Sequence, residues 1–367
     1  MEAKFSPPSF TIGIEEELMI LDAETHDLVN AIEAVLEEFG GEGQAKPELH
    51  ESVLEIATTP ASNTEEAGEE LRALRRGVAE AASRRGLTVG SAGTHPTAHW
   101  EDQRIAPHPR YRELISALRF VARQEIIFGL HVHVGLDDAD KAIHVANGMR
   151  VHLPILLALS ANSPFWRSDA TGLCSARMPI FRQFPRVGIP PVYADFADWE
   201  RHIGFMVDAG VIDDYTWLWY DVRPHPNFGT VEIRAMDAQT RVEHTLGLAA
   251  LIQAMVKELA EHFESGEELG HYPHEMLDEN RWLAARHGLE GELVDLPDQK
   301  LVPVRDLARR LLDRLREHAQ DLGSAGALDA IDDILANGNG AHRQRLVYEA
   351  NHDYGELLRD IVGATAE

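Results

Sequence analysis

The sequence predicts an α+β fold. Segments rich in β-branched and apolar residues lie mainly in the first two thirds of the chain, whereas the last hundred residues have the apolar spacing of helices. This grouping is typical of α+β proteins, because α/β proteins alternate strands and helices regularly. No low-complexity linker or repeat is visible, so we expect a single domain over residues 1–367 that is mainly helical from about residue 240.

The predicted elements follow one another in this order. We expect strands at residues 10–21, 52–58, 87–93, 125–136, 217–222 and 230–236. One helix is predicted to begin at Ser62, where Glu65 completes a capping box, and to end at Gly86. Further helices are predicted from about residue 110 and at residues 141–161, 242–263, 304–319 and 343–362.

Composition argues against several classes of function. The formal net charge of −27 opposes binding to nucleic acid or to an anionic membrane, and no local basic patch offsets it. Every apolar run is shorter than the roughly 18 residues that predict a membrane span. The start of the chain lacks the pattern of a signal peptide, and the lone cysteine, Cys174, suits a reducing compartment. We therefore expect a cytoplasmic protein with no nucleic-acid or membrane partner.

Three consecutive acids, Glu15, Glu16 and Glu17, occupy the first predicted strand. Because side chains alternate between the two faces of a strand, Glu15 and Glu17 share one face and Glu16 lies on the other. Acids are unfavourable in apolar strands, and two like charges on one face repel each other unless a cation separates them. Magnesium fits this pattern because it prefers oxygen ligands. The alternative is an exposed edge strand whose charges oppose aggregation.

A second acidic segment, at residues 47–56, brings further carboxylates next to apolar residues. Glu55 lies between Leu54 and Ile56, so its carboxylate is expected to be partly buried. A buried carboxylate without a partner is costly, and it normally finds a cation or becomes neutral. Glu48 and Glu51 are also compatible with an exposed loop.

Charged side chains also interrupt two later predicted strands. His131 and His133 share one strand face, where paired imidazoles can ligate a metal or contact a phosphate; two core histidines bonded to the backbone are the alternative. Glu232 and Arg234 share a face of the last strand, either as metal ligand and phosphate-binding guanidinium or as a structural ion pair. A single sheet face that binds several cations would explain all of these strands together.

Six segments of the chain stand in a specific order, namely GIEEEL, LHESVLEIATTP, SAGTHP, GLHVHVG, ALSANSPFW and TVEIRAMDAQT. This order resembles that of the carboxylate–amine ligases, a group similar to glutamate–cysteine ligase type 2. The resemblance begins at about Ile12 and includes RWLAARHGL at Arg281 and GAHRQR at Gly340, so it covers nearly the whole chain. Each motif is short, but the ordered combination is specific.

The resemblance implies a glutamine-synthetase-like fold, in which a curved antiparallel sheet flanked by helices forms a funnel with ATP and magnesium at its bottom. Arg234 matches the residue that faces the transferred phosphate. His133 stands where more distant relatives have an asparagine-like position, and we expect it to bind substrate or nucleotide. A homodimer is compatible with this fold group. The metal ligands carried over by motif are Glu15, Glu17, Glu48, Glu55, His131 and Glu232.

Three further arginines are candidates for substrate or nucleotide binding. Arg177 follows a Thr-Gly pair and is expected near a substrate carboxylate. Arg343 and Arg345 follow the GNG segment near Asn339 and are expected at an edge of the active site. A helix cap with surface charges is the alternative explanation of that segment.

The reaction implied by the resemblance is carboxylate activation by phosphoryl transfer. A carboxylate attacks the γ-phosphate of ATP, giving an acyl phosphate and ADP, and an amine then displaces phosphate to form an amide. Glutamate and cysteine are the specific pair to which the family name points. Two alternatives stay open, a zinc-dependent hydrolase that uses the His-Val-His motif and a non-catalytic nucleotide- or amino-acid-binding relative. The abundance of carboxylates favours a hard metal over zinc.

Overall fold

One antiparallel sheet organises the protein, for which a computed structural model describes residues 3–40 and 44–366. Its strands are β1 (Ile12–Asp22), β2 (Ala45–Pro47), β3 (Val53–Ala57), β4 (Leu87–Gly90), β5 (Gly129–Gly135), β6 (Val222–His225) and β7 (Thr230–Asp237). The strand order is β6-β7-β5-β1-β3-β2, and β4 pairs with the second half of β1. All of these neighbours are antiparallel. The central strand β1 pairs with three strands along its length, namely β3, β4 and β5.

Helices surround this sheet and dominate the chain after β7. They are α1 (Ile32–Phe39), α2 (Thr64–Ser83), α3 (Pro109–Leu118), α4 (Phe120–Arg123), α5 (Ala139–Met149), α6 (Leu153–Ser160), α7 (Arg177–Phe181), α8 (Phe196–Asp208), α9 (Val242–Ser265), α10 (His274–His287), α11 (Val304–Asp321), α12 (Asp329–Asn337), α13 (Gly340–Asn351) and α14 (Tyr354–Ala366). Short 3-10 helices lie at Trp100–Asp102, Tyr215–Trp217, Gly288–Glu290 and Ala325–Leu328. Three small two-stranded sheets pair Phe165–Trp166 with Asp169–Ala170, Val187–Gly188 with Trp219–Tyr220, and Glu292–Asp295 with Lys300–Pro303.

Strand β1 shows how the sheet separates the core from the opposite face. Ile12, Ile14 and Leu18 are fully buried and belong to the main hydrophobic cluster, on the side where α2 and α9 pack. Glu15 and Glu17 alternate with them and therefore point to the other face. The expected separation of the acids of this strand is confirmed.

The third acid of β1, Glu16, lies on the helical side and holds three segments together. Its carboxylate accepts two hydrogen bonds of 2.8 Å from Arg75 of α2 and one of 2.5 Å from Thr245 of α9. Arg75 also donates to the backbone carbonyls of Gln239 and Thr240, at 2.7 Å each. Both charged groups are buried, and these bonds satisfy them where water cannot reach.

Two predicted long helices are each divided in the structure. The helix expected at residues 141–161 is α5 followed by α6, with a bend of 63°, because Pro154 in the first turn of α6 has no N–H to continue the ladder of α5. The helix expected at residues 343–362 is α13 followed by α14, and His352 ends α13 in the left-handed conformation (φ 51°). Among the described residues no single helix is long and apolar enough to cross a membrane; α5 and α6 reach that length and composition only as this bent pair.

The start of α2 also differs from the expected capping box. Asn63, rather than Ser62, caps the helix, and its side chain accepts hydrogen bonds from the backbone N–H groups of Glu65 and Glu66. Asparagine is as good an N-cap as serine. The predicted position of this helix start was therefore wrong by one residue.

The Arg75→Met substitution is expected to lower the free energy of unfolding by about 3–5 kcal/mol, because it leaves the Glu16 carboxylate buried without its partner. Urea denaturation would measure the loss. The control is Arg72→Met on the same helix, which removes an exposed ion pair with Glu243 and should cost less than about 1 kcal/mol. A loss for Arg75→Met no larger than that of the control would contradict the role assigned to this ion pair.

Candidate active site

The face of the sheet opposite the Glu16 side borders a cavity of about 500 Å³. The strand register determines which charged side chains meet there. Glu17 is paired with Glu55 across β1 and β3, and Glu15 with His131 across β1 and β5. Glu232 on β7 is paired with His133 on one side and with Arg223 on the other. Neighbours in register have Cβ atoms about 5 Å apart, so acids from three strands, β1, β3 and β7, meet in one cavity.

Glu15, His133 and Glu232 form the first acidic group. One ligand atom from each lies within 4.8 Å of the others. His133 Nε2 lies 3.6 Å from a Glu15 oxygen and 3.8 Å from a Glu232 oxygen, and it has no hydrogen-bond partner. The other ring nitrogen lies 3.0 Å from the Thr230 hydroxyl, which orients the ring. A buried nitrogen without a partner between two carboxylates fits a metal ion.

Glu17, Glu48 and Glu55 form the second acidic group, again with ligand atoms within 4.8 Å of one another. Burial and the charge of Glu48 raise the pKa of Glu17 to about 7. Burial and the charge of Glu15 raise the pKa of Glu55 well above its ordinary value. Lys46 offsets part of this charge, with its ammonium 2.6 Å from Glu55. Three carboxylates with oxygen atoms this close together form an oxygen-only site of the kind that suits a hard divalent cation.

Two arginines compensate Glu232. Arg223 donates to it at 2.5 Å, and Arg234 forms a second ion pair with the same carboxylate. Burial alone would raise the pKa of Glu232, but the two guanidinium charges hold that pKa well below its ordinary value. Glu232 is therefore an ionised carboxylate that lies in contact with two cations.

A β-bulge gives Arg234 its position. The β5–β7 register shifts between Ile233 and Met236, so that an extra residue of β7 stands opposite β5. The backbone N–H of Arg234 bonds instead to the carbonyl of Asp221, at 2.8 Å. The Arg234 side chain lines the cavity, and its Nε has no hydrogen-bond partner. The bulge thus leaves a buried guanidinium with an N–H group available for a ligand.

His131 lies beside the first acidic group and contacts Glu15 and Arg234. Its Nδ1 is 3.3 Å from a Glu15 oxygen and 3.4 Å from Arg234. Burial, and next the charge of Arg234, lower the pKa of His131 to about 4, so this imidazole is neutral near pH 7. Of the two histidines, the structure brings His133 into the three-residue group and places His131 against Glu15 and Arg234.

The three further arginines have different positions. Arg177 is buried and lines the cavity, near Glu17 and Glu125. Arg343 and Arg345 do not line it. Arg343 forms a bidentate ion pair with Asp360 of α14, and Arg345 donates to the carbonyl of Leu173 at 2.7 Å. The structure therefore does not bring these two arginines to the cavity, because α13 directs them toward neighbouring segments of the chain.

Several cavity residues were missed by the sequence analysis. Arg223 and His225 lie on β6 and share the two-residue period of the other strands, so their alternation in VRPH was an available signal. The others come from loops, short strands and helices whose path no local pattern predicts. Examples of these residues are Lys46, Tyr111, Glu125, Phe181, Phe184, Trp217, Trp219 and Phe228.

Solved structures with the same architecture define the class of fold. The glutamate–cysteine ligase of Francisella tularensis, solved in complex with AMP, aligns with 99% of this chain and 89% of its own at a TM-score of 0.75 and 14% identity. A bifunctional glutathione synthetase from Pasteurella multocida aligns with 98% of this chain and 53% of its own at a TM-score of 0.70 and 14% identity. The expected α+β fold with an antiparallel sheet is confirmed.

The chain belongs to glutamate–cysteine ligase family 2, whose model matches residues 11–362. The provisionally named glutamate–cysteine ligase 2-1 of Rubrobacter xylanophilus is 41% identical over 367 residues, which cover 100% of this chain and 97% of that protein. A relative from Solibacter usitatus with a similar provisional name is 40% identical over 96% of this chain and 91% of its own. The expected class of enzyme, an ATP-dependent ligase that joins a carboxylate to an amine, is thereby confirmed.

If the second acidic group binds magnesium, the raised pKa of Glu17 should make that binding dependent on pH. Between its ordinary value of 4.5 and about 7, the folded protein keeps a proton that the unfolded chain releases, so this group's contribution to stability falls as pH rises through that window. A cation must displace that proton and is favoured once the proton has gone. The rise in melting temperature on adding magnesium should be larger at pH 8 than at pH 6.

The control for this measurement is Glu17→Gln, which has no proton to release at this position. The variant should lose much of the difference between the two pH values. An equal or larger magnesium effect at pH 6 in the unsubstituted protein would contradict the assignment of Glu17 to a cation site.

Proposed function

We propose that this enzyme activates the carboxylate of an amino acid with ATP and magnesium and then joins it to an amine, with glutamate and cysteine as the substrate pair. The observation that carries the proposal is the pair of acidic groups on one face of the sheet, with Arg234 beside the first. The names of the relatives support the choice of substrates. Membership of a ligase family and the chemistry of the cavity agree on the reaction class.

The two acidic groups fit magnesium by the chemistry of their donor atoms. Five carboxylates and one imidazole are available, and magnesium prefers oxygen ligands. The first ion would be held by Glu15, His133 and Glu232, and the second by Glu17, Glu48 and Glu55. Bound magnesium would neutralise phosphate charge and so lower the barrier to attack by an anionic carboxylate.

The arginines divide two tasks between them. Arg234 has an Nε–H without a partner and a planar guanidinium, so it binds the transferring phosphoryl group. Arg223 is held by the carbonyl of Leu218 at 2.7 Å and fixes the orientation of Glu232. The neutral His131 contacts the Glu15 carboxylate without adding a further charge.

The reaction needs no nucleophilic side chain. The substrate carboxylate attacks the γ-phosphorus, the bond to the β-γ bridging oxygen breaks, and ADP leaves with that electron pair. The amine then attacks the acyl carbon of the acyl phosphate, phosphate leaves, and the amine nitrogen loses a proton. The protein contributes position and fixed charge, which are the main sources of catalysis in phosphoryl transfer.

Acyl-phosphate formation can be tested with hydroxylamine as a trap. The enzyme, ATP and magnesium are incubated with each of the twenty amino acids, and ADP and hydroxamate are measured. One acid, which we expect to be glutamate, should give both products in equal amounts. If properly folded protein gives neither product with any acid, the proposed reaction is wrong and a binding protein is the better account.

The Arg234→Met substitution should lower the rate of ADP release at least 100-fold, because it removes a charge that stabilises the transferring phosphoryl group. The melting temperature of this variant should change little. Arg359→Met is the matched control, since Arg359 is an exposed residue of α14 paired with Glu356 and does not line the cavity. Near-normal turnover of Arg234→Met would remove Arg234 from the mechanism.

A further inference from the structure

One carboxylate of the cavity has no place in either acidic group. Six carboxylates line the cavity among the residues that the structure describes, and five of them belong to the two groups. The sixth is Glu125, in the segment between α4 and β5. A site that binds ATP and a carboxylate substrate already has an excess of negative charge, so an additional buried carboxylate requires a separate explanation.

Glu125 is buried, and one of its carboxylate oxygens has no hydrogen-bond partner. The charged groups that face it are Arg177 and Glu17, and burial raises the pKa of Glu125 well above its ordinary value. No salt bridge joins Glu125 to a cation within the described part of the chain. An unsatisfied buried carboxylate that borders a cavity is expected to receive its partner from a ligand.

Arg177 is the cation beside this position. It is buried, its Nε has no hydrogen-bond partner, and its guanidinium lies 5.5 Å from the centre of the Phe181 ring. Opposite charges with unused bonding atoms therefore border the same part of the cavity. The zwitterion of an α-amino acid, which carries an ammonium and a carboxylate on the same carbon atom, matches such a pair.

An apolar wall continues from Arg177. The rings of Phe181 and Phe184 are 5.7 Å apart, and those of Phe184 and Trp219 are 5.3 Å apart. All three side chains line the cavity. This row of rings offers a surface for an apolar or thiol-bearing side chain rather than for a charged one.

We propose that Glu125 binds the ammonium group of the amine substrate, with Arg177 on the carboxylate of that substrate and Phe181, Phe184 and Trp219 against its side chain. This inference rests on the proposed ligase function. Of the reacting groups, the phosphates of ATP and the carboxylate to be activated bring negative charge to the metal groups, whereas the nitrogen of the second substrate arrives as an ammonium and must lose one proton before it attacks. Glu125 is then a specificity-determining residue that selects an α-amino acid over a simple amine or acid.

The Glu125→Gln substitution tests this assignment in the full-length enzyme. Hydroxylamine is small and mainly uncharged at neutral pH, so it needs no ammonium subsite. The variant should form hydroxamate with the activated acid at a rate and KM within about 2-fold of the unsubstituted enzyme. Its KM for cysteine in amide formation should rise at least 10-fold. Exposed Glu113 of α3 provides the control Glu113→Gln, which should change neither value.

Calorimetric binding gives a readout that does not depend on turnover. In the first series, cysteine carries both charged groups, cysteamine lacks the carboxylate, and 3-mercaptopropionate lacks the ammonium. Leucine and its corresponding amine and acid analogues form a second series. The unsubstituted enzyme should bind one amino acid at least 10-fold more tightly than either of its analogues. Glu125→Gln should lose the discrimination against the analogue without the ammonium. Its melting temperature should stay equal or rise, because a neutral amide does not bear the cost of ionisation in a buried position.

Three results would overturn the assignment. These are a raised KM for the acid in the hydroxamate assay of Glu125→Gln, unchanged discrimination against the analogue without the ammonium, and no preference of the unsubstituted enzyme for an amino acid in either series. If the unsubstituted enzyme forms no hydroxamate, the proposed ligase function fails instead, and the calorimetric series alone decides the role of Glu125.

Discussion

Burial of carboxylates on one face of an antiparallel sheet is the constraint on which the rest of the site depends. Each strand of the sheet must give one face to the helical core and the other to the cavity, because side chains alternate with a period of two. Glu15 and Glu17 consequently lie in the cavity, whereas Glu16 lies in the core and needs the two hydrogen bonds from Arg75. The same strand thus lines the cavity on one face and stabilises the core on the other.

The two acidic groups meet the cost of buried charge in different ways. In the first group, arginines and histidines hold the pKa values of Glu15 and Glu232 well below the ordinary value despite burial. In the second group, Lys46 is the cation in contact with Glu55, and the pKa values of Glu17 and Glu55 are raised. The first group is therefore preorganised as an anion, whereas the second depends more strongly on a bound cation to ionise.

The sequence predicted the strand-borne part of the site because a period of two can be recognised without knowledge of the tertiary fold. The alternation in GIEEEL and GLHVHVG predicted that Glu15 and Glu17, and likewise His131 and His133, would share a face. The ordered motifs supplied the family, and through it the fold. Which histidine joins the acids depends on the register of β5 against β7 and on the bulge at Arg234, and neither is visible in one strand.

Residues outside the strands were harder to predict for a physical reason. Glu125 and the rings near it reach the cavity through the packing of α4 and α7, which local spacing does not determine. For Arg343 and Arg345 the local pattern predicted a position near the cavity, because a basic pair after a glycine-rich turn resembles a phosphate site. In the structure these side chains contact Asp360 and Leu173 instead. The local sequence pattern therefore predicted which side chains line the cavity more reliably on the sheet than at helix ends.

The proposed binding of divalent cations by the acids of the cavity can be tested most directly by titration of the enzyme with Mn²⁺, followed by electron paramagnetic resonance. Mn²⁺ is paramagnetic and prefers the same oxygen-rich sites as magnesium. We expect two Mn²⁺ ions to bind per chain and magnesium to displace both. One of the two ions should be lost in Glu17→Gln and the other in Glu232→Gln. Absence of bound Mn²⁺, or a single ion retained in both variants, would contradict this proposal.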